Sequence, residues 1–153
     1  MRVIVQVVKS SSVIIPKENI NNKIAKGLNL LVGFNHEDNQ EIAKAMAKKI
    51  SNLRVFIDEN EKMNLSVKDV NGQILSISQF TLYADAKKGN RPGFVEAMEP
   101  SKASALYNYF NQCLTDHDIE VKTGIFGADM IVNIENDGPT TIILDSDIII
   151  KTK

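Results

Sequence analysis

The chain has 153 residues, with 18 Lys and Arg against 19 Asp and Glu and a formal net charge of -1. That balance excludes a protein that grips nucleic acid through a broad positive field, yet it leaves room for contact with a short piece of RNA through a few placed groups. The length predicts one domain over residues 1–153, or at most two very small ones, and a chain of this size buries roughly 68–70% of its unfolded surface without metal or disulfide staples.

Cys113 is the single cysteine, so no intramolecular disulfide forms, which fits a reducing compartment. The apolar run at residues 1–8 is too short for a signal peptide, and no stretch approaches 18 apolar residues. The expectation is a soluble cytoplasmic protein with no membrane partner.

In chain order, residues 2–8 are β-branched and nearly continuously apolar, as in a central strand buried on both faces. Residues 12–15 form a second strand, stopped by Pro16, and residues 28–34 form another buried strand. A helix follows, with Asp38 as N-cap and Glu41 at the capping-box spacing. Ile42, Met46, Ile50 and Leu53 then recur at helical intervals. Residues 54–57 read as a strand and residues 58–61 as a turn. Asn71-Gly72 signals a hairpin. The run at 73–83 reads as one long strand, whose Ser76, Ser78, Gln79 and Thr81 must find polar partners if it is interior. Residues 87–93 make a basic, turn-rich loop.

A second helix starts near Pro100-Ser101, with Ala103, Leu106, Tyr107, Phe110, Cys113 and Leu114 as its apolar stripe. Residues 120–123 and 130–135 read as strands. Asn136-Asp137-Gly138-Pro139 reads as a tight turn, from which residues 140–144 return as a strand. Residues 148–150 read as a last edge strand or part of a subunit interface. The expected class is α+β, with mostly antiparallel, barrel-like sheets and two main helices.

The usual catalytic parts are scarce. His36 and His117 sit at turns or helix ends and read as solvated or capping residues. One cysteine, with no His-x-x-x-His or Glu-x-x-His pair, gives no zinc site. Phosphate-binding glycine loops and Gly-x-Ser-x-Gly are absent. No metal or cofactor is therefore expected.

Two constellations remain, each with two readings. Ser78-Gln79-Phe80-Thr81-Leu82 is either a core strand with internally bonded hydroxyls, or a strand end whose side chains and N–H groups face a reacting group. Asn136-Asp137-Gly138-Pro139 is either an ordinary turn or a rigid probe that points carbonyl oxygens outward, since proline tolerates the cis form far better than other residues.

The segments SQFTLYAD (78–85), KGNRPGF (88–94), KTGIFGADM (122–130) and NDGPTTIILDS (136–146) resemble the D-aminoacyl-tRNA deacylase family, also called D-tyrosyl-tRNA deacylase. MNLSVKDVNGQIL (63–75) and the start of the chain fit as well, so the resemblance runs in order over residues 1–146. It implies a homodimer that proofreads chirality by hydrolysing the ester between a D-amino acid, or glycine, and the 3′-terminal adenosine of tRNA. DNA is not an expected partner.

Gly138-Pro139 matches the family's Gly-cisPro motif, which each subunit inserts into its partner's active site, with Asn136 beside it. Ser78, Gln79, Phe80 and Thr81 would form the other wall, with backbone N–H groups near Phe80 and Thr81 supporting the oxyanion. The family is described by chemistry in which the adenosine 2′-hydroxyl helps activate water, which fits the lack of a base beside Thr81. Lys87, Lys88 and Arg91 are the candidate contacts for tRNA phosphates. The alternative is a non-catalytic module for the tRNA 3′ end on the same scaffold. Two positions depart from the family pattern. Val7 stands where an arginine commonly helps hold the Gly-Pro motif, and Thr140 stands where valine is usual.

Overall fold

In the computed structural model, which describes residues 1–150, the elements run β1 (Arg2–Ile15), β2 (Ile20–Ile24), β3 (Gly27–Gly33), α1 (Gln40–Ser51), β4 (Phe56–Ile57), β5 (Met63–Leu65), β6 (Gln73–Ser78), α2 (Pro100–Thr115), β7 (Glu120–Thr123), β8 (Ile131–Asp145) and α3 (Ser146–Ile149). The α+β class and the two main helices agree with expectation. The four-residue α3 occupies the segment read as a last edge strand or interface.

The two strands expected at the start are one. β1 continues through Lys9 and Ser10 and ends where Pro16 opens a short 3-10 turn, because proline has no N–H to extend the ladder. Along one edge β1 pairs antiparallel with β3 and then β2; along the other it pairs antiparallel with β8. β6 lies parallel to both β3 and β7. The sheet is therefore mixed, antiparallel around β1 and parallel around β6. Its path β2-β1-β3-β6-β7 curls towards closure. Asn22 Nδ2 on β2 donates to the Thr123 carbonyl on β7 at 2.7 Å, and Lys122 Nζ donates to the Lys23 carbonyl at 2.8 Å.

The parallel β3–β6 pair requires a long crossover, and residues 34–72 supply it with α1 and the β4–β5 ribbon. Asn71-Gly72 is consequently not a hairpin between β5 and β6. Asn71 takes a left-handed φ of 50°, and Gly72 N–H donates to the Val67 carbonyl, closing a turn that delivers the chain to β3. Of the strand read at 54–57, only Phe56–Ile57 pairs.

The cap of α1 is Asn39, whose side chain accepts from Ile42 N–H at 3.0 Å. Asp38, expected in that place, is buried. It accepts from the Met1 ammonium through Oδ1 and from Asn35 N–H through Oδ2. That ammonium also donates to Ser146 Oγ at 2.7 Å, and burial pulls its pKa below the ordinary value.

Two apolar layers result. Val3, Val5, Val7, Leu28 and Leu30 face Met46, Ile50, Phe110 and Leu114 of α1 and α2. Val8, Val13, Ile15, Ile24, Leu75 and Ile77 fill the inside of the curled sheet. The side of β1 that is buried changes between Val7 and Val8, where the β1–β8 register slips, as a bulge does by shifting the pleat. Among the described residues no helix is long and apolar enough to cross a membrane.

The contact between β3 and β6 leaves no room for a side chain at its start. A Cβ on Gly27 would lie 1.8 Å from the Gln73 carbonyl oxygen. Gly27→Ala is expected to destabilise the fold by about 3 kcal/mol through backbone displacement. The urea unfolding midpoint reads this, and an unchanged midpoint would contradict the tight β3–β6 approach.

Candidate active site

The expected strand over residues 73–83 stops at Ser78. Gln79 N–H still donates to the Val32 carbonyl at 2.7 Å, and then the chain turns. Leu82 N–H donates to the Gln79 carbonyl and Ala84 N–H to that of Thr81, so Phe80–Tyr83 is a 3-10 turn. Gly33 is the physical reason that the turn fits. A Cβ there would lie 2.9 Å from the Gln79 carbonyl oxygen and 3.1 Å from Leu82 Cβ, so the turn lies directly over the end of β3.

This turn changes what each polar residue does. Ser76 is fully buried; among the described residues its hydroxyl does not find the partner expected of an interior position, and only its carbonyl is bonded, accepting from Tyr107 Oη at 2.7 Å. Gln79 Nε2 donates to Thr81 Oγ1. Thr81 is exposed, and its hydroxyl acts as an acceptor that fixes the Gln79 amide. Phe80 and Thr81 open the 3-10 turn, so their N–H groups have no acceptor within it, and the Gln79 side chain does not cap them.

Two clefts meet at Phe80. One, of about 380 Å³, is mostly apolar, lined by Phe80, Phe94, Met98 and Phe126, with His36 and Glu99 at its polar margin. The other, of about 310 Å³, contains Ser78, Gln79, Asp129 and Met130; Phe80, Phe126 and Gly127 are common to both. Phe80 is 55% exposed and meets Phe94 edge to face at 5.0 Å. His36 Nε2 donates to the Val95 carbonyl at 2.6 Å, which ties the loop after β3 to the segment before α2. Glu99 accepts from Ser101 Oγ at 2.6 Å and caps α2 by accepting from Ser101 and Lys102 N–H, and these bonds, the hydroxyl's first, hold its carboxyl below the usual carboxylate range.

Ser78, Gln79 and Phe80 therefore come together at the clefts, whereas Thr81 lines neither. The motifs that contain Phe94 and Phe126 give neither residue a role in the sequence, and His36 reads there as a solvated or capping residue. The available signal was their position inside the family-like motifs, since periodicity cannot bring residues 36, 80, 94 and 126 to one place. Among the described residues no cluster of His, Cys, Asp and Glu is arranged to hold a metal.

Gly138 and Pro139 line neither cleft. The segment read as a reversing turn does not reverse the chain. Residues on either side of it pair with the same edge of β1, Asn136 with Val8 and Thr141 with Gln6. Asp137, Gly138, Pro139 and Thr140 thus stand opposite Val7 alone and bulge out of the ladder, where Asn136, Gly138 and Pro139 are exposed. The Gly138–Pro139 peptide is cis, and Gly138 has φ 120°. The Thr140 hydroxyl occupies the space over Gly138, 2.7 Å from where a Cβ would sit.

Val7 turns into the helix-facing core. Lys87, Lys88 and Arg91 lie on an exposed loop closed by paired backbone bonds between Asp85 and Gly93, and none of them joins an ion pair among the described residues.

The family model described as D-Tyr-tRNA(Tyr) deacylase matches residues 4–145. A D-aminoacyl-tRNA deacylase of Staphylococcus carnosus is 55% identical over 146 residues, covering 95% of this chain and 96% of the relative. The Lactobacillus gasseri protein of the same name is 55% identical over 145 residues, covering 95% and 99%. Among solved structures, one described as c-Myc DNA Unwinding Element Binding Protein superposes with a TM-score of 0.87 at 41% identity, covering 95% of this chain and 99% of that one. A probable eukaryotic D-amino acid tRNA deacylase has a TM-score of 0.81 at 15% identity over 94% of this chain, a likeness of fold.

The exposure of Phe80 separates its role from packing. Phe80→Ala is expected to change stability by less than about 1 kcal/mol, read from chemical denaturation. A loss of several kcal/mol would mean that the ring belongs to the core instead of the cleft wall.

Proposed function

Because the chain belongs to the D-Tyr-tRNA(Tyr) deacylase family, its activity is the hydrolysis of D-aminoacyl-tRNA, and we propose how it does so. The bond cleaved is the ester between the amino acid and the 3′-terminal adenosine. Water adds to the ester carbonyl, a tetrahedral oxyanion forms, and collapse expels the ribose 3′-oxygen. That oxygen takes up a proton to leave intact tRNA, and the free amino acid departs.

The observation that carries this reading is the family match over residues 4–145, joined to two exposed half-sites in one chain. The apolar cleft at Phe80, Phe94 and Phe126 suits a purine ring, which stacks on aromatic side chains. The N–H groups of Phe80 and Thr81, free of internal acceptors, suit the developing oxyanion. Ser78 and Gln79 form the neighbouring wall.

Chiral selection falls to Gly138 and Pro139, with Asn136 alongside, delivered from a second copy of the chain in a homodimer. Their exposure, and the fact that they line neither of their own chain's clefts, support that reading. Enantiomers carry the same apolar surface, so burial alone cannot separate them. A rigid pair of carbonyls that holds the α-amino group and fills the space of an L side chain can do so. Each factor of ten in discrimination requires about 1.4 kcal/mol of differential transition-state binding. Glycine has nothing to exclude and is accepted by the same geometry.

The 2′-hydroxyl of the adenosine activates the water. Thr81 is poorly suited to attack because its hydroxyl already accepts from Gln79. Lys87, Lys88 and Arg91 meet nearby phosphates, and the protein works in the cytoplasm.

A second reading, a non-catalytic module for the tRNA 3′ end, draws on Val7 in place of the common arginine. Binding of D-Tyr-tRNA without turnover would establish it. The deciding assay compares deacylation of D-Tyr-tRNA and L-Tyr-tRNA. The D ester is expected to be cleaved and the L ester spared; equal rates, or rates no higher than spontaneous hydrolysis, would overturn the proposal.

The chemical step has its own test. Thr81→Ala is expected to retain activity within about tenfold of the parent, whereas a 2′-deoxy terminal adenosine lowers the rate by about a hundredfold or more, the scale of a lost proton-transfer catalyst. Complete loss in a folded Thr81→Ala protein would instead point to a threonine nucleophile.

A further inference from the structure

Arg2 forms a fork between the end of β8 and the turn that begins at Phe80. It stands on β1 between two register partners, Gly33 of β3 and Asp145 of β8. Its Nε donates to Asp145 Oδ2 at 2.9 Å, and its Nη1 donates to the Leu82 carbonyl at 3.1 Å. The guanidinium carbon lies 4.6 Å from the centre of the Tyr83 ring. Leu82 and Tyr83 are the last two residues of the 3-10 turn that begins with Phe80 and Thr81. One planar group therefore ties the end of β8 to the back of the turn whose front faces the clefts.

The surroundings favour a fixed group. Gly33 has no side chain, so the turn sits beside Arg2. Asp145 is only 14% exposed and also caps α3, accepting from Asp147 N–H at 3.0 Å. Tyr83 is buried, and burial with the nearby Asp38 and Asp145 carboxylates pushes its phenol well above the ordinary value, so the ring under the cation stays neutral. An exposed ion pair alone contributes little. A guanidinium bonded through two different nitrogens to two elements fixes their relative position, because its donors are held in a rigid plane.

We propose that Arg2 is a positioning residue for ester hydrolysis, setting the turn so that the Phe80 and Thr81 N–H groups meet the oxyanion. This rests on the reading of those amides given above. In this role Arg2 acts through the Leu82 carbonyl and not on the reacting ester itself. Lysine at this position can reach Asp145 or the Leu82 carbonyl as a point charge but cannot form both arms of the fork. Misplacement of transition-state donors lowers turnover more than ground-state binding.

The test uses the full chain and D-Tyr-tRNA. Arg2→Lys is expected to lower kcat by about tenfold, with KM within about twofold and the ratio of D to L cleavage unchanged, since selection belongs to Gly138 and Pro139. Asp145→Asn keeps the α3 cap, because asparagine caps as well as aspartate, and keeps Arg2 while removing its anchor. It is expected to lower kcat in the same way, which preserves the test if Arg2→Lys does not fold. An unchanged kcat in both variants, a rise in KM alone, or a loss of D-over-L selectivity would overturn the role of Arg2. A parent protein inactive on D-Tyr-tRNA would overturn the hydrolytic reading beneath it instead.

Discussion

β1 is hydrogen-bonded on both edges along nearly its whole length, and the site depends on how unequal those edges are. On one side β3 and β2 follow each other in regular antiparallel register. On the other, β8 spends the five steps from Asn136 to Thr141 while β1 spends the two from Gln6 to Val8. A ladder cannot absorb that surplus, because each residue must pair or leave. Pro139 has no N–H to contribute, and Gly138 adopts a φ of 120° that other residues avoid. The surplus is therefore extruded as an exposed loop on a well-anchored strand.

The second constraint is the missing side chain at Gly33. Without it, Gln79 and Leu82 pack over the end of β3 and the chain turns just after Ser78. The turn frees the first two amides from the ladder and brings Phe80 out to meet Phe94. It also places the Leu82 carbonyl within reach of Arg2. Polar residues that look costly inside a strand lie instead at its exit, where Gln79 and Thr81 satisfy one another. Ser76 remains inside the strand and fully buried, with its carbonyl bonded to Tyr107.

The near-equality of acids and bases accords with this geometry. The clefts are small and partly apolar, and under the proposed function they hold a terminal nucleoside and its ester, so affinity need not come from a field spread over a duplex. Lys87, Lys88 and Arg91 line neither cleft. That arrangement fits a few phosphate contacts and a shallow dependence on salt.

By itself the sequence determined the class of the fold, the apolar faces of both main helices and the family, because helical periodicity and contiguous motifs are local signals. The stripe from Ala103 to Leu114 is buried as its spacing requires, and Phe80 and Gly138 lie in segments that were already conspicuous. Tertiary structure decided what those segments do. Residues 73–83 alternate like one strand, but the turn after Ser78 is set by Gly33, which lies more than forty positions earlier. Asn136-Asp137-Gly138-Pro139 has the composition of a reversing turn, yet both of its flanks return to β1, a pairing no local pattern specifies. Asp38 carries a helix-cap signature but is drawn to the Met1 ammonium, leaving the cap to Asn39. In each case a contact between residues distant in sequence outweighed a local preference of about 1 kcal/mol, and those contacts exist only once the sheet has curled.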